Sequence, residues 1–147
     1  MDYDPNLPWS DIRGAGFNAH IGPLQFAAMG DNRWCASVVL EDRHLNNGGV
    51  CHGGMLLTLA DVAMGAATYA AGGEHPCATI QLDSQFIAAA KPGQRLVAVS
   101  TQLRRTRELS FMQCEIWGGG RRVMRASGIW KYLSSRAPAA AGEGSAT

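Results

Sequence analysis

The sequence contains no CxxC pair, no GxSxG and no glycine-rich loop closing on Lys-Ser or Lys-Thr. Each absence removes a class of chemistry. Cys35, Cys51, Cys77 and Cys114 form no redox pair, and neither they nor His20, His44, His52 and His75 fall at metal-ligand spacing, so no metal site is expected. Without GxSxG there is no nucleophile elbow for a serine hydrolase. Gly48-Gly49…Gly53-Gly54 is no phosphate loop, because no Lys-Ser/Thr follows it. Charge is also scarce, at 17% of residues and a formal net of +1. It is unevenly placed: residues 1–90 carry 3 Lys/Arg against 9 Asp/Glu, and residues 91–147 carry 10 against 3. The arginines of the basic half are spread over strand-like segments rather than run together, which does not make the phosphate-neutralising stripe of a nucleic-acid binder. The start, MDYDPNLPWSDIR, is acidic and polar, unlike a signal peptide, so a cytoplasmic location with reduced thiols is expected.

What is present fits one soluble domain. The 147 residues, 46% of them apolar, suffice to bury a core. Residues 1–20, with Pro5, Pro8, Gly14 and Gly16, predict a surface-wrapping segment with a helical turn near Trp9–Arg13. Ile21–Phe26 and Trp34–Glu41 read as strands, and Asn46-Asn47-Gly48-Gly49 marks a loop between Asp42 and Cys51. From Gly53 to Ala71 the Ala, Leu and Met content predicts a helix, stopped by Gly72-Gly73. The period then changes. Cys77–Ile87, Gln94–Arg105, Leu109–Trp117 and Arg122–Leu133 read as long strands joined by tight breaks, which favours an antiparallel meander. Residues 134–147 read as a disordered tail.

Between Met55 and Ala71 the only charged residue is Asp61. A helix apolar on every side is buried on every side or sits in a membrane. A mid-span Asp, frequent Gly and Ala and a β-rich remainder argue against the membrane. The better solution is a sheet curled around one central helix, an α+β hotdog fold with a long central helix wrapped by a curved antiparallel sheet.

The chemistry concentrates in Asn46–Asp61. The first N–H groups of a helix lack partners and carry partial positive charge. His52-Gly53-Gly54 opens this helix with two residues that let a ligand approach its backbone. Such a terminus suits a carbonyl oxygen becoming an oxyanion, with Asn46 offering a side-chain N–H from the loop. The plainer readings are helix–sheet packing for the glycines and a turn for Asn46. A carboxylate buried without partners costs several kcal/mol (roughly 3–5), so Asp61 implies a general base, a nucleophile or a structural acceptor. From Gly53 to Asp61 the helix rises roughly 12 Å. One acyl group cannot easily touch both, so the two halves of the site are expected to come from different chains of a homodimer.

Asn46-x-x-Gly49-x-x-His52-Gly53-Gly54, then Leu59-Ala60-Asp61, Thr79-x-Gln81-x-x-x-x-Phe86 and Lys91-Pro92-Gly93, resembles the phenylacetic-acid-degradation branch of hotdog acyl-CoA thioesterases, which includes human thioesterase superfamily member two. The likeness covers about residues 30–133. It implies that Gly53 and Asn46 polarise the thioester carbonyl, that Asp61 is the catalytic carboxylate and that Thr79 positions a water. His52 is implied as a support, and Gly54 as part of the substrate site. The resemblance further implies CoA at a subunit interface, a homotetramer built from dimers, and no cofactor beyond the substrate itself. Gln81 departs from the acidic residue common there and leaves substrate orientation open. Met55, Leu56, Met64 and Phe86 are acyl-pocket candidates with core packing as the alternative. Arg122, Arg125 and Lys131 are candidates for the CoA phosphates, or else solvated strand charges. A non-catalytic acyl-CoA-binding protein and a hydratase/dehydratase are the competing readings, the second weakened because His52-Gly53-Gly54 lacks the HFPG-like start of that class.

Overall fold

The computed structural model describes residues 1–134, so nearly all of the segment expected to form a disordered tail lies outside the described residues. The chain runs β1 (Ser10–Asp11), α1 (Phe17–Ile21), β2 (Gln25–Gly30), β3 (Arg33–Val39), a single 3-10 turn at Asp42–His44, α2 (Gly53–Ala71), β4 (Cys77–Phe86), β5 (Arg95–Arg105), β6 (Leu109–Gly118) and β7 (Arg121–Tyr132). All seven strands form one antiparallel sheet in the order β1-β2-β3-β5-β6-β7-β4. The sheet curls against α2, which contacts β3, β4, β5, β6 and β7. This is the hotdog architecture.

Strand alternation decides which face meets the helix. In β7, Met124, Ala126, Gly128, Trp130 and Tyr132 are buried, while Arg125, Ser127 and Lys131 point outward. On α2, Met55, Leu56, Leu59, Ala60, Ala63, Met64, Ala67 and Thr68 are buried, the repeat of one helical face. Full burial of a Leu or Met side chain contributes about 1.5–3 kcal/mol, so this face anchors the fold. By length and composition α2 could cross a bilayer, yet here that face is the protein core.

Three sequence expectations change. The helix is not buried all round: Leu57, Thr58, Asp61, Val62 and Gly65 are half-buried and Tyr69 is exposed, because the sheet covers only one side. Trp9–Arg13 holds a short strand rather than a helical turn, since Ser10 and Asp11 pair with Phe26 and Gln25. Ile21 ends a helix instead of opening a strand. Gly22 caps that helix, Pro23 has no N–H to extend it, and β2 begins only at Gln25.

The outer face of β2, β3 and β5 carries a second apolar cluster, with Ala27, Cys35, Val97 and Val99 covered by Tyr3, Leu7 and Trp9 of the N-terminal segment. Tyr3 stacks on Trp9 at 4.8 Å, and the Arg95 guanidinium lies 4.3 Å from the Tyr3 ring.

Burial pushes the Cys35 and Cys51 thiols up to about 11 and that of Cys114 up to about 12, from an ordinary 9.0. A pKa raised in the folded state means that the unfolded chain loses these protons first as pH rises. The stabilisation from neutral buried thiols is therefore complete below pH 9 and is lost as the pH climbs through about 11 to 12. Tm followed by calorimetry should show no thiol-linked decline up to pH 9 and fall beyond it, with a shallower fall in Cys114→Ala.

Candidate active site

The loop before α2 is pinned at both ends. His44 is buried; its Nδ1 accepts the Glu41 N–H at 3.0 Å, so its Nε2–H donates to the Ile21 carbonyl at 2.8 Å. His52 N–H donates to the His44 carbonyl and Cys51 N–H to the Ala90 carbonyl. Within the loop, Asn46 Oδ1 accepts the Gly48 and Val50 N–H groups at 2.9 and 3.3 Å, and Gly49 takes a φ of 76°. The turn reading of Asn46 therefore holds for its oxygen. Its amide N–H2 has no acceptor among the described residues and remains a donor.

At the helix start, His52 is the N-cap. Its Nδ1 accepts the Gly54 N–H at 2.8 Å, which places the proton of a neutral ring on Nε2. A Cβ on Gly54 would lie 2.9 Å from that nitrogen, so glycine at 54 preserves the cap. The Gly53 N–H has no acceptor among the described residues. A Cβ there would sit 3.4 Å from the Phe86 ring of β4, so packing and an open N–H coexist at one residue. Gly53 and Asn46 are thus left as donors, whereas Gly54 is committed to the cap.

Asp61 lies on the half-covered face of α2 and its Oδ1 accepts the Thr79 hydroxyl of β4 at 2.6 Å. The short contact suits a charge-assisted bond to a carboxylate. A groove of about 440 Å³ runs from this pair between α2 and β4, past Val62, Ala66 and Tyr69, with Ile12 and Asn18 of the N-terminal segment on its wall. Asn46, His52 and Gly53 do not line it. A larger depression of about 490 Å³ lies on the outer face of the sheet among Asp83, Gln85, Glu115 and Arg125, away from the carboxylate. The chemistry favours the smaller groove, because it holds the one acid on the helix.

The other sequence-derived positions divide. Met55 and Leu56 are buried and Met64 is fully so, within the core on the sheet side of α2, so their core alternative describes them. Phe86 is exposed at the end of β4 and covers Gly53. Gln81 Nε2 donates to Asp83 Oδ2 at 2.8 Å on the exposed strand. Arg122 pairs with Glu115 at 2.6 Å, Arg125 stands opposite Glu115 and Gln85, and Lys131 is exposed; none lines the Asp61 groove. Ile12, Asn18 and Cys77, which do line it, carried no sequence signal, since nothing local ties residues 12 and 18 to a helix forty residues later. Among the described residues, no three His, Cys, Asp or Glu side chains come together as metal ligands.

An apolar helix clasped by an antiparallel sheet, with one carboxylate and an open helix N-terminus, is a hotdog fold carrying the groups that thioester hydrolysis uses. A family model described as the Thioesterase superfamily matches residues 48–125, and the chain belongs to that superfamily. A Pseudomonas aeruginosa protein provisionally named an esterase is 28% identical over 111 residues, 75% of this chain and 83% of that protein. The fold is also that of zebra fish thioesterase superfamily member 2, with a TM-score of 0.74 at 20% identity over 82% of this chain and 89% of that one. A hypothetical thioesterase protein of Streptococcus pneumoniae TIGR4, crystallised with coenzyme A, gives a TM-score of 0.70 at 23% identity over 78% and 91%.

Removing the cap tests the local reading. His52→Ala should destabilise the fold by about 1 kcal/mol in urea unfolding, and His52→Asp, which offers an oxygen to the same N–H, should recover most of the loss.

Proposed function

We propose that the protein hydrolyses acyl-CoA thioesters at sites shared between two copies of the chain. The observation that carries this reading is the separation of the two halves of the chemistry. Asp61 and Thr79 share a groove that Gly53 and Asn46 do not line, and the helix rises roughly 12 Å between Gly53 and Asp61. A thioester carbonyl polarised by Gly53 and Asn46 of one copy would meet Asp61 of the other. β4 supports such an assembly. It ends the sheet, pairs among the described residues only with β7, and leaves Ile80, Phe86 and, just past its end, Ile87 exposed beside an unpaired strand edge of the kind that seeks a partner. Antiparallel pairing of two β4 edges about a two-fold would run the two α2 helices in opposite directions. A homotetramer assembled from such dimers remains the larger expectation from the family resemblance.

In this mechanism the Asp61 carboxylate, oriented by Thr79, takes a proton from water as the water oxygen bonds to the acyl carbon. The carbonyl oxygen gathers charge and is held by the Gly53 N–H and the Asn46 amide. The C–S bond then breaks, the proton passes to the CoA sulfur, and free acid and CoA leave. Direct attack by the carboxylate, through a mixed anhydride opened by water, uses the same groups. A CoA-bound protein of the same fold supports the choice of thioester.

Thiol release over a panel of acyl-CoAs tests the reaction. Asp61→Ala should lower kcat by about 10²–10⁴-fold, whereas tight binding without turnover by the wild type would indicate a sensor instead. Heterodimers of Asp61→Asn with Asn46→Ala subunits hold one intact shared site and should show about half the wild-type rate per dimer. Inactive heterodimers would place both halves of each site in one chain.

A further inference from the structure

Beyond the Asp61–Thr79 pair the groove is directional and is lined mainly by small or apolar side chains, with Asn18 and Tyr69 as its polar members. Asp61, Gly65 and Tyr69 follow one another at four-residue steps along the open face of α2, and Ala66 lies beside them in the groove. The opposite wall is Cys77 and Ala78 of β4, the floor includes Trp130, and Pro76 stands near Tyr69 at the far end. The lining beyond the carboxylate holds no cationic side chain, so it does not suit the phosphates of CoA. It suits a hydrocarbon.

The outer wall comes from elsewhere in the chain. Ile12, just after β1, and Asn18, on α1, lie outside residues 48–125 that match the superfamily model. The segment is held in place by named contacts. The Ile12 N–H donates to the Leu24 carbonyl, Ile12 packs against the core, and Arg43 donates to the His20 and Gly22 carbonyls at the end of α1. A wall fixed in this way limits what the groove admits.

From Asp61 to Tyr69 the helix rises about 12 Å, which accommodates an extended chain of about eight to ten carbons. We infer that the groove from Asp61 to Tyr69, walled by Ile12 and Asn18, is the acyl site and selects medium-chain acyl groups of about eight to ten carbons. The inference rests on the acyl-CoA reading above and adds to it the substrate class and the residues that set it. Asn18 and Ile12 act here as specificity determinants, outside the reacting atoms.

The test measures kcat/KM on straight-chain acyl-CoAs from butyryl to palmitoyl and on phenylacetyl-CoA, for wild type, Ala66→Phe and Asn18→Phe. Alongside, titration calorimetry gives Kd for non-hydrolysable S-alkyl-CoA thioethers of the same chain lengths. The wild type should peak between octanoyl and decanoyl. Ala66→Phe, which puts a ring in mid-groove, should lower decanoyl turnover at least about tenfold more than butyryl turnover. Asn18→Phe should act in the same direction and less strongly, and it sits on a surface helix, so it carries the test if Ala66→Phe does not fold. Thioether affinities should follow the same order. A wild-type optimum at butyryl, palmitoyl or phenylacetyl, or an equal loss at all lengths in both variants, overturns the inference. Absent turnover with length-dependent thioether binding sinks the hydrolysis reading but leaves the groove assignment standing, and absent binding of every thioether overturns the assignment itself.

Discussion

The organisation of this protein depends on how its sheet meets α2. One helix face, Met55 through Thr68 at the spacing of successive turns, is pressed against the inner side of the sheet and supplies much of the core. The other face is met only along one side, by Cys77 and Thr79 of the edge strand β4. A fully enclosed helix would have trapped the Asp61 carboxylate in apolar surroundings at a cost of several kcal/mol (roughly 3–5). On the half-covered face the same carboxylate keeps partial contact with solvent and one short hydrogen bond, from Thr79. The location of the acid and the shape of the core thus follow from one packing choice.

β4 connects that choice to everything near the site. It carries Thr79 to the carboxylate, lays Phe86 over Gly53, and leaves Ile80, with Ile87 just past its end, exposed. Its position is enforced from β7, where Gly128 lets the Gln81 carbonyl approach so closely that a Cβ would lie 2.6 Å from it. A bulge between Thr79 and Gln81 lets the strand break its alternation at that point. One edge strand therefore supports the acid, covers the helix start and presents the surface through which a second copy would complete the site.

The donors at the helix start are separated by competition for hydrogen bonds. His52 takes the Gly54 N–H, and the loop takes the oxygen of Asn46, which leaves the Gly53 N–H and the Asn46 amide N–H groups without acceptors among the described residues. Unmet donors at a positively polarised helix end are what a developing oxyanion requires.

Much of this was legible from residue order. The long strands and α2 came from period and composition; the observed limits of α2 coincide with those expected and those of the four long strands differ by at most one residue at either end, because local signals such as Gly72-Gly73 and Lys91-Pro92-Gly93 act within a few bonds. Asn46, His52, Gly53, Asp61 and Thr79 were visible as unusual residues in a recognisable pattern. Other features were not legible. Met55 and Met64 looked as apt for an acyl pocket as any residue of α2, but only the direction of each side chain from a folded helix sets them in the core. Ile12 and Asn18 reached the groove through a strand pairing and a short helix that no periodicity announced. The sequence by itself determined which elements form and which residues carry chemistry, since both depend on near neighbours and side-chain type. Tertiary structure alone decided which face of α2 stays open, which N–H groups remain unpaired and what walls the groove, since each depends on contacts between segments tens of residues apart.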